Sequence, residues 1–263
     1  MIKEDIKFKD STVFEGMTSI RAIIKSNELG INDRRIKTIL CDKDKLKKNA
    51  KEIGYLKAVS DSKGFIVEIT TSEELDKITL GSSHGGLVAI TEERTIHYLS
   101  KDSNISHSGF YVMIQGIEDP YNFGYSLRSL YACGCDGIIL SERNWMTAAG
   151  VVARSSAGAS ELFEMYKGDP IEVAKIFKEL GYKIICADEN TDNLLGECDL
   201  PRPILLIVGG EKRGISRELL NLADLRVKID YARDFRASLS AASATTMFAY
   251  EIMRQNKKNG QRF

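Results

Sequence analysis

The chain has 263 residues, 43% hydrophobic and 28% charged, with 37 basic side chains balanced by 37 acidic ones. That length holds one large or two ordinary domains of a soluble globular protein, and the balance excludes the global basic excess that nucleic-acid binders often carry. No apolar run is long enough to cross a bilayer, and the start, Met1-Ile-Lys-Glu-Asp-Ile-Lys, has early acids in place of an apolar signal core, so no membrane contact and a cytoplasmic location are expected.

In chain order, residues 17–30 space their apolar side chains helically and stop at Gly30, a favourable residue past a helix end. Residues 36–40 read as a strand, and 42–53 as a lysine-rich helix that Asp42 is able to cap. Strands are expected at 65–69, 87–90 and 95–99, with a short helix at 72–80 between them. Helices alternating with short strands predict a compact α/β domain over 1–103. The polar stretch 100–108 is the linker candidate. A second domain, 104–263, opens with the continuous apolar run 110–115, suited to a buried strand. A turn at Asn122 follows, then a helix to about Cys133 and a strand at 137–140. A helix over 169–180 closes at Gly181, and strands follow at 183–187 and 204–208. The turn at Glu211 leads to a helix at 216–222, a short strand at 226–229 and a last helix from about Ser238 to Gln255. Repeated strand-then-helix order predicts a mostly parallel sheet covered by helices.

Charge is patterned locally. From Arg34 to Lys51 there are eight basic residues against Asp42 and Asp44, and after Glu251 come Arg254, Lys257, Lys258 and Arg262 with no acid. These runs suit phosphate contacts, or are simply solvated surface. The cysteines at 41, 133, 135, 186 and 198 read as reduced thiols, and Cys133-Gly-Cys135 is too tight for a zinc pair. His84, His97 and His107 have no metal-ligand spacing, so no catalytic metal is expected.

Three segments carry the chemistry: Asn122-Phe-Gly124-Tyr-Ser-Leu-Arg128, Gly209-Gly210-Glu211-Lys212-Arg213-Gly214, and Ser238-Leu239-Ser240 running into a helix. Each is a turn leading to a helix, the place where α/β proteins hold ligands. The glycine segment lacks Rossmann spacing, and Ile215-Ser216 stands where a P-loop needs Lys-Ser/Thr. Gly209, Gly210 and Gly214 permit close backbone approach, either to a ligand or within the turn. Asn122 is a natural N-cap for a helix starting near Phe123, and Arg128 would lie about one and a half turns in. By itself Arg128 is explained by a salt bridge, Glu211 by the helix dipole, and Ile229 and Leu239 by the core.

In order and spacing these segments resemble the SpoU/TrmH family of RNA ribose 2′-O-methyltransferases, over roughly residues 110–257. The resemblance implies an α/β SPOUT fold: a C-terminal parallel-sheet methyltransferase domain with a deep trefoil knot, after an N-terminal L30e-like substrate-binding domain. The knot would thread the last helix through the loops around 209–214 and 229–238. S-adenosylmethionine is the implied cofactor, rRNA or tRNA the substrate, and a homodimer with shared active sites the assembly. Gly209, Gly210, Glu211, Ile229, Leu239 and Ser240 would hold the cofactor. Asn122, Arg128, Glu211 and Ser238 would form the catalytic clamp, with Arg154 either packing or reaching RNA. Glu211 would orient Arg128 or Asn122, or accept a proton. A guanidinium, with a pKa above about 12, is a poor base, so Arg128 is expected to grip a phosphate and polarise the hydroxyl. Ser83-His84-Gly85-Gly86 resembles the family's His-Gln-Gly segment, with Gly85 replacing Gln; His84 serves a turn or an RNA contact.

Departures are local. Asp230 stands where the family has Pro in Ile-Pro-(Met or Tyr), and Ser240 and Ala242 replace Asn and Ser of Ser-Leu-Asn-Val-Ser. Two rival readings follow: an RNA-binding member that keeps the cofactor pocket without catalysis, and a nucleotide-dependent enzyme of ordinary doubly wound topology.

Overall fold

The computed structural model describes residues 11–79, 84–117, 119–141, 145–210, 214–234 and 237–257. Contacts divide the chain into two units, one of Met1–Thr95 with Trp145–Leu162, the other of Ile96–Asn144 with Phe163–Phe263.

The first unit starts with β1 (Val13–Glu15) and α1 (Gly16–Glu28), whose Ile20, Ile23 and Ile24 are buried. Gly30, at φ +67°, follows the helix end. β2 (Ile36–Asp42) leads into a single 3₁₀ turn, Lys43–Lys45, and then α2 (Ala50–Lys63). The helix expected over 42–53 is therefore displaced. Asp42 is spent on the 3₁₀ turn, accepting the Asp44 N–H at 3.0 Å and the Ser72 hydroxyl at 2.5 Å. Only Leu56 of α2 is buried, so the lysine-rich stretch gave little apolar periodicity to locate it. β3 (Ile66–Thr70), α3 (Ser72–Ile78) and β4 (Leu87–Thr91) complete a four-stranded sheet of order β1-β4-β2-β3, with β4 antiparallel to both neighbours. His84 is buried: its Nδ1 accepts the Gly86 N–H at 3.0 Å and its Nε2 lies 3.1 Å from the Asp76 carboxylate, which is a turn role.

The chain then enters the second unit with β5 (His97–Tyr98), β6 (Phe110–Ile114), α4 (Pro120–Ala132) and β7 (Gly137–Leu140). It contributes α5 (Ala149–Ser155) to the first unit. There Gly150 packs so closely that a Cβ would sit 2.0 Å from the Val13 carbonyl oxygen. The following stretch places Glu161, fully buried, 2.9 Å from Nε of Arg34. Arg34 also donates to the carbonyls of Ser11 and Glu92 and lies 4.6 Å from the Phe14 ring centroid. Arg34 thus leaves the exposed basic run in which its sequence neighbours placed it, because a buried carboxylate far along the chain pairs with it.

The second unit continues with β8 (Glu164–Lys167), α6 (Pro170–Glu179), β9 (Lys183–Ala187), β10 (Ile204–Val208), α7 (Arg217–Leu222), β11 (Leu225–Val227) and α8 (Ala241–Asn256). The last strand ends two residues earlier than expected, leaving Ile229 beyond it. The seven strands are all parallel, in the order β11-β9-β10-β6-β7-β8-β5. Every residue of β6, β7 and β10 is buried, as central strands of a parallel sheet covered on both faces must be. Phe177 of α6, Tyr111 and Tyr182 form an aromatic cluster, edge-to-face at Tyr182 and tilted between Tyr111 and Phe177. The chain turns one way from β6 to β7 and β8, and the other way through β9, β10 and β11. The junction of β6 with β10 is a topological switch point. Among the described residues no helix is long and apolar enough to cross a membrane.

Candidate functional site

β10 ends at Val208 and passes directly into Gly209-Gly210. A Cβ on Gly209 would lie 3.0 Å from the Gly214 Cα and the Ile215 nitrogen, a tight approach that the turn would have to relax to admit. A Cβ on Gly210 would meet the Gly116 carbonyl oxygen at 2.0 Å. Backbone packing alone therefore demands glycine at 210 and favours it at 209. Gly214 differs: nothing lies within 4 Å of its would-be Cβ, and it borders open space.

That space is a cavity of about 620 Å³ at the carboxyl ends of β9, β10 and β11. Four chain segments wall it: the glycine turn, the loop Ile229-Asp230-Tyr231 after β11, Ser238-Leu239 before α8, and Asp188-Glu189-Asn190 after β9. Val208, Val227, Leu220 and Phe248 add apolar surface. The Tyr231 phenol oxygen accepts the Leu239 N–H at 3.1 Å, joining two of the walls. Asp188 shapes the β9 loop, its Oδ1 accepting the Asn190 N–H at 3.0 Å and its Oδ2 lying 3.5 Å from Arg226 Nη1. Burial, with Asp188 nearby, pushes the Cys186 thiol up to about 12, so it is no nucleophile at neutral pH. Among the described residues no group of His, Cys, Asp or Glu side chains is placed to hold a metal ion.

The cavity brings together Gly209, Gly210, Ile229, Ser238 and Leu239 of the residues singled out from sequence. Ser240 does not line it. Its hydroxyl instead caps α8, accepting the Ser243 N–H at 3.2 Å. Glu211 lies outside the described residues. Asn122 and Arg128 sit on α4 and do not line the cavity of this chain. Their expected placement needs correction. The cap of α4 is Asp119, which accepts the Tyr121 N–H at 3.0 Å, and Pro120 occupies the first helical position. Asn122 is therefore inside the first turn, and Arg128 is more than two turns along, with its side chain exposed. Arg154 belongs to the first unit, where Nη1 pairs with Glu15 at 2.8 Å.

The loop after β9 was missed. Its signal was present, since an acid-rich turn follows an apolar strand, but nothing local says that β9 lies beside β10.

Fold and cavity together define an α/β protein that can hold a small ligand over the carboxyl ends of adjacent parallel strands. Its order of segments matches a known family profile over residues 109–250, and the chain belongs to the SpoU rRNA Methylase family. It is 26% identical over 259 residues to a Staphylococcus aureus (strain MSSA476) protein assigned to the TrmH family of tRNA/rRNA methyltransferases, covering 96% of this chain and 99% of that one. It is 26% identical over 198 residues to the 23S rRNA (guanosine-2′-O-)-methyltransferase RlmB of Shewanella oneidensis, covering 74% and 80%. The fold is shared with the AdoMet-bound rRNA methyltransferase of Sinorhizobium meliloti, with a TM-score of 0.77, 21% identity, and coverage of 96% and 94%. The family resemblance of the three segments is borne out.

Proposed function

We propose that this chain transfers a methyl group from S-adenosylmethionine to a ribose 2′-hydroxyl of rRNA or tRNA. The observation that carries the reading is the meeting of Gly209, Gly210, Ile229, Ser238 and Leu239 around one cavity. Its volume of about 620 Å³ is within the range of small-molecule sites. Gly214 leaves one wall bare, and the carboxylates of Glu189 and Asp230 suit a ligand with a positive charge. When bound, the cofactor supplies a methyl group activated by its sulfonium.

The chain's residues then bind and orient. Ile229 and Leu239 flank the adenosine, and the glycine turn offers main-chain atoms to it. Asn122 and Arg128 clamp the RNA, the guanidinium remaining protonated and donating to a phosphate and the target hydroxyl. Glu211 orients that clamp or accepts the proton, and Ser238 assists at the cavity rim. Asn122 and Arg128 do not line their own cavity, so this reading takes them from a second copy in a homodimer. Exposed Tyr121 and Tyr125 on α4 and Met247 and Tyr250 on α8 support an interface there. On this reading the L30e-like substrate-binding domain is residues 1–103 and the methyltransferase domain 104–263, although β5 groups with the second unit and 145–162 with the first; Arg154 would reach RNA if it leaves Glu15. A trefoil knot would interleave the loops at 209–214 and 229–238. What supports it is that both line one cavity with α8 leading away. The cytoplasm is the expected place of action.

One observation favours a second reading. Ser240, where relatives carry Asn, is engaged as a helix cap, consistent with cofactor and RNA binding without transfer. Incubation with labelled S-adenosylmethionine and unmodified total RNA, followed by mapping of 2′-O-methyl sites, decides between them. Label at discrete riboses supports transfer; cofactor binding with no labelled RNA selects the second reading; absence of cofactor binding removes both.

A further inference from the structure

On the sheet edge opposite the cavity, β5 sets Tyr98 beside Lys167 of β8. The two are register partners in parallel strands, so their side chains leave the same face of the sheet. Tyr98 is 72% exposed, more than any other exposed large hydrophobic side chain among the described residues. Lys167 Nζ lies 4.6 Å from the ring centroid, and among the described residues it has no carboxylate partner. Lys101 close by in sequence is different, being paired with Glu179 at 2.5 Å.

Tyr98 and Lys167 are each the last residue of their strand. They therefore occupy the carboxyl-end rim of the sheet, the rim on which the cavity opens. In strand order β6, β7 and β8 lie between β10 and β5. Three and four interstrand steps of about 4.8 Å put Lys167 roughly 14 Å and Tyr98 roughly 19 Å across the sheet from the glycine turn. Those spans match roughly four to six nucleotides of a stacked strand, at about 3.4 Å each.

An exposed ring with an ammonium over one face, and no carboxylate partner for that ammonium among the described residues, complements a nucleotide, which offers a flat base and an adjacent phosphate. Inside a duplex the base faces are stacked away, so only an unpaired nucleotide can use the ring. We propose that Tyr98 and Lys167 form a secondary contact for an unpaired stretch of the substrate RNA, one base stacking on Tyr98 and the neighbouring phosphate meeting Lys167. The proposal rests on the methyl-transfer reading for its substrate, but its test does not need turnover.

Full-length Tyr98→Ala, Tyr98→Trp and Lys167→Gln proteins would be compared with the parent by filter binding to unmodified rRNA and tRNA transcripts over a salt series. Affinity for S-adenosylmethionine and steady-state methylation would be measured beside it. Tyr98→Ala is expected to raise the RNA Kd and KM about ten-fold, with kcat and cofactor affinity unchanged. Tyr98→Trp should restore binding, and Lys167→Gln should flatten the salt dependence by about one ion. Parental RNA affinity in Tyr98→Ala, or a Tyr98→Trp protein as weak as Tyr98→Ala, would overturn the contact. A parent that binds RNA with this Tyr98 dependence yet transfers no methyl group would sink the transfer reading and leave the contact standing.

Discussion

The phenol oxygen of Tyr231 holds the backbone N–H of Leu239 at 3.1 Å, across two loops that wall the same cavity. Leu239 precedes the cap residue of α8, so its N–H has no partner within the helix. Tyr231→Phe removes the acceptor without changing the ring. A net loss of about 1 kcal/mol corresponds to roughly five-fold weaker S-adenosylmethionine binding, read by calorimetry, with kcat at saturation preserved. An unchanged Kd would show that the clasp does not shape the site.

Arg128 is exposed on α4, away from the cavity of its own chain. Arg128→Ala should abolish methyl transfer to RNA while leaving cofactor affinity at the parental level. Label transfer and calorimetry on the same preparation test this. Normal methylation by the variant would end its assigned role.

Gly210 and Gly214 should respond in opposite ways to the same substitution. Gly210→Ala forces a Cβ to 2.0 Å from the Gly116 carbonyl oxygen, a backbone atom that cannot rotate aside. A loss of about 2–3 kcal/mol in urea unfolding is expected, together with loss of cofactor binding. Gly214→Ala meets nothing within 4 Å and should unfold like the parent.

The Arg34–Glu161 pair is buried on both sides, at 2% and 0% side-chain exposure. Glu161→Gln leaves a buried guanidinium without its counter-charge and should cost about 3–5 kcal/mol. Adding Arg34→Met should recover part of that loss. Arg94, also buried and facing Glu161, keeps the recovery incomplete. Chemical denaturation of the single and double variants separates the two effects.

Asp33 gives a pH-dependent test. Its carboxylate accepts the Thr95 hydroxyl at 2.6 Å and the Thr95 N–H at 2.7 Å, and these bonds hold its pKa below the usual aspartate value. A depressed folded-state pKa means the stabilisation is complete above the unfolded value of about 3.9 and disappears as pH falls through the folded value. Asp33→Ala should cost about 1 kcal/mol at pH 7, discounted for exposure. The difference from the parent should shrink in urea unfolding as pH is lowered through the acid range.

Local structure was legible wherever one short-range effect dominated. The strands Gly137–Leu140, Lys183–Ala187 and Ile204–Val208 fall at their expected bounds; the first and last are buried at every position and apolar throughout, and the second has a buried apolar centre, Ile184–Cys186. Ser216 and Gly181 mark a helix start and a helix end by side-chain capping and positive φ. Where two local signals competed, the reading slipped. Asp119-Pro120 outbid Asn122 as the start of α4, and weak amphipathicity hid the start of α2.

The sequence by itself determined the family, through three turn segments whose order and residue types belong together. Only the tertiary structure decided their neighbours. Sheet order sets β9 and β11 against the β10 side of the switch point, so the Asp188 loop and Tyr231 reach the glycine turn. Packing of the 159–162 turn in the first unit also joins Arg34 to Glu161, 127 residues apart. Such adjacencies follow from which strands pair and which faces are buried, and no periodicity along a single segment encodes that choice.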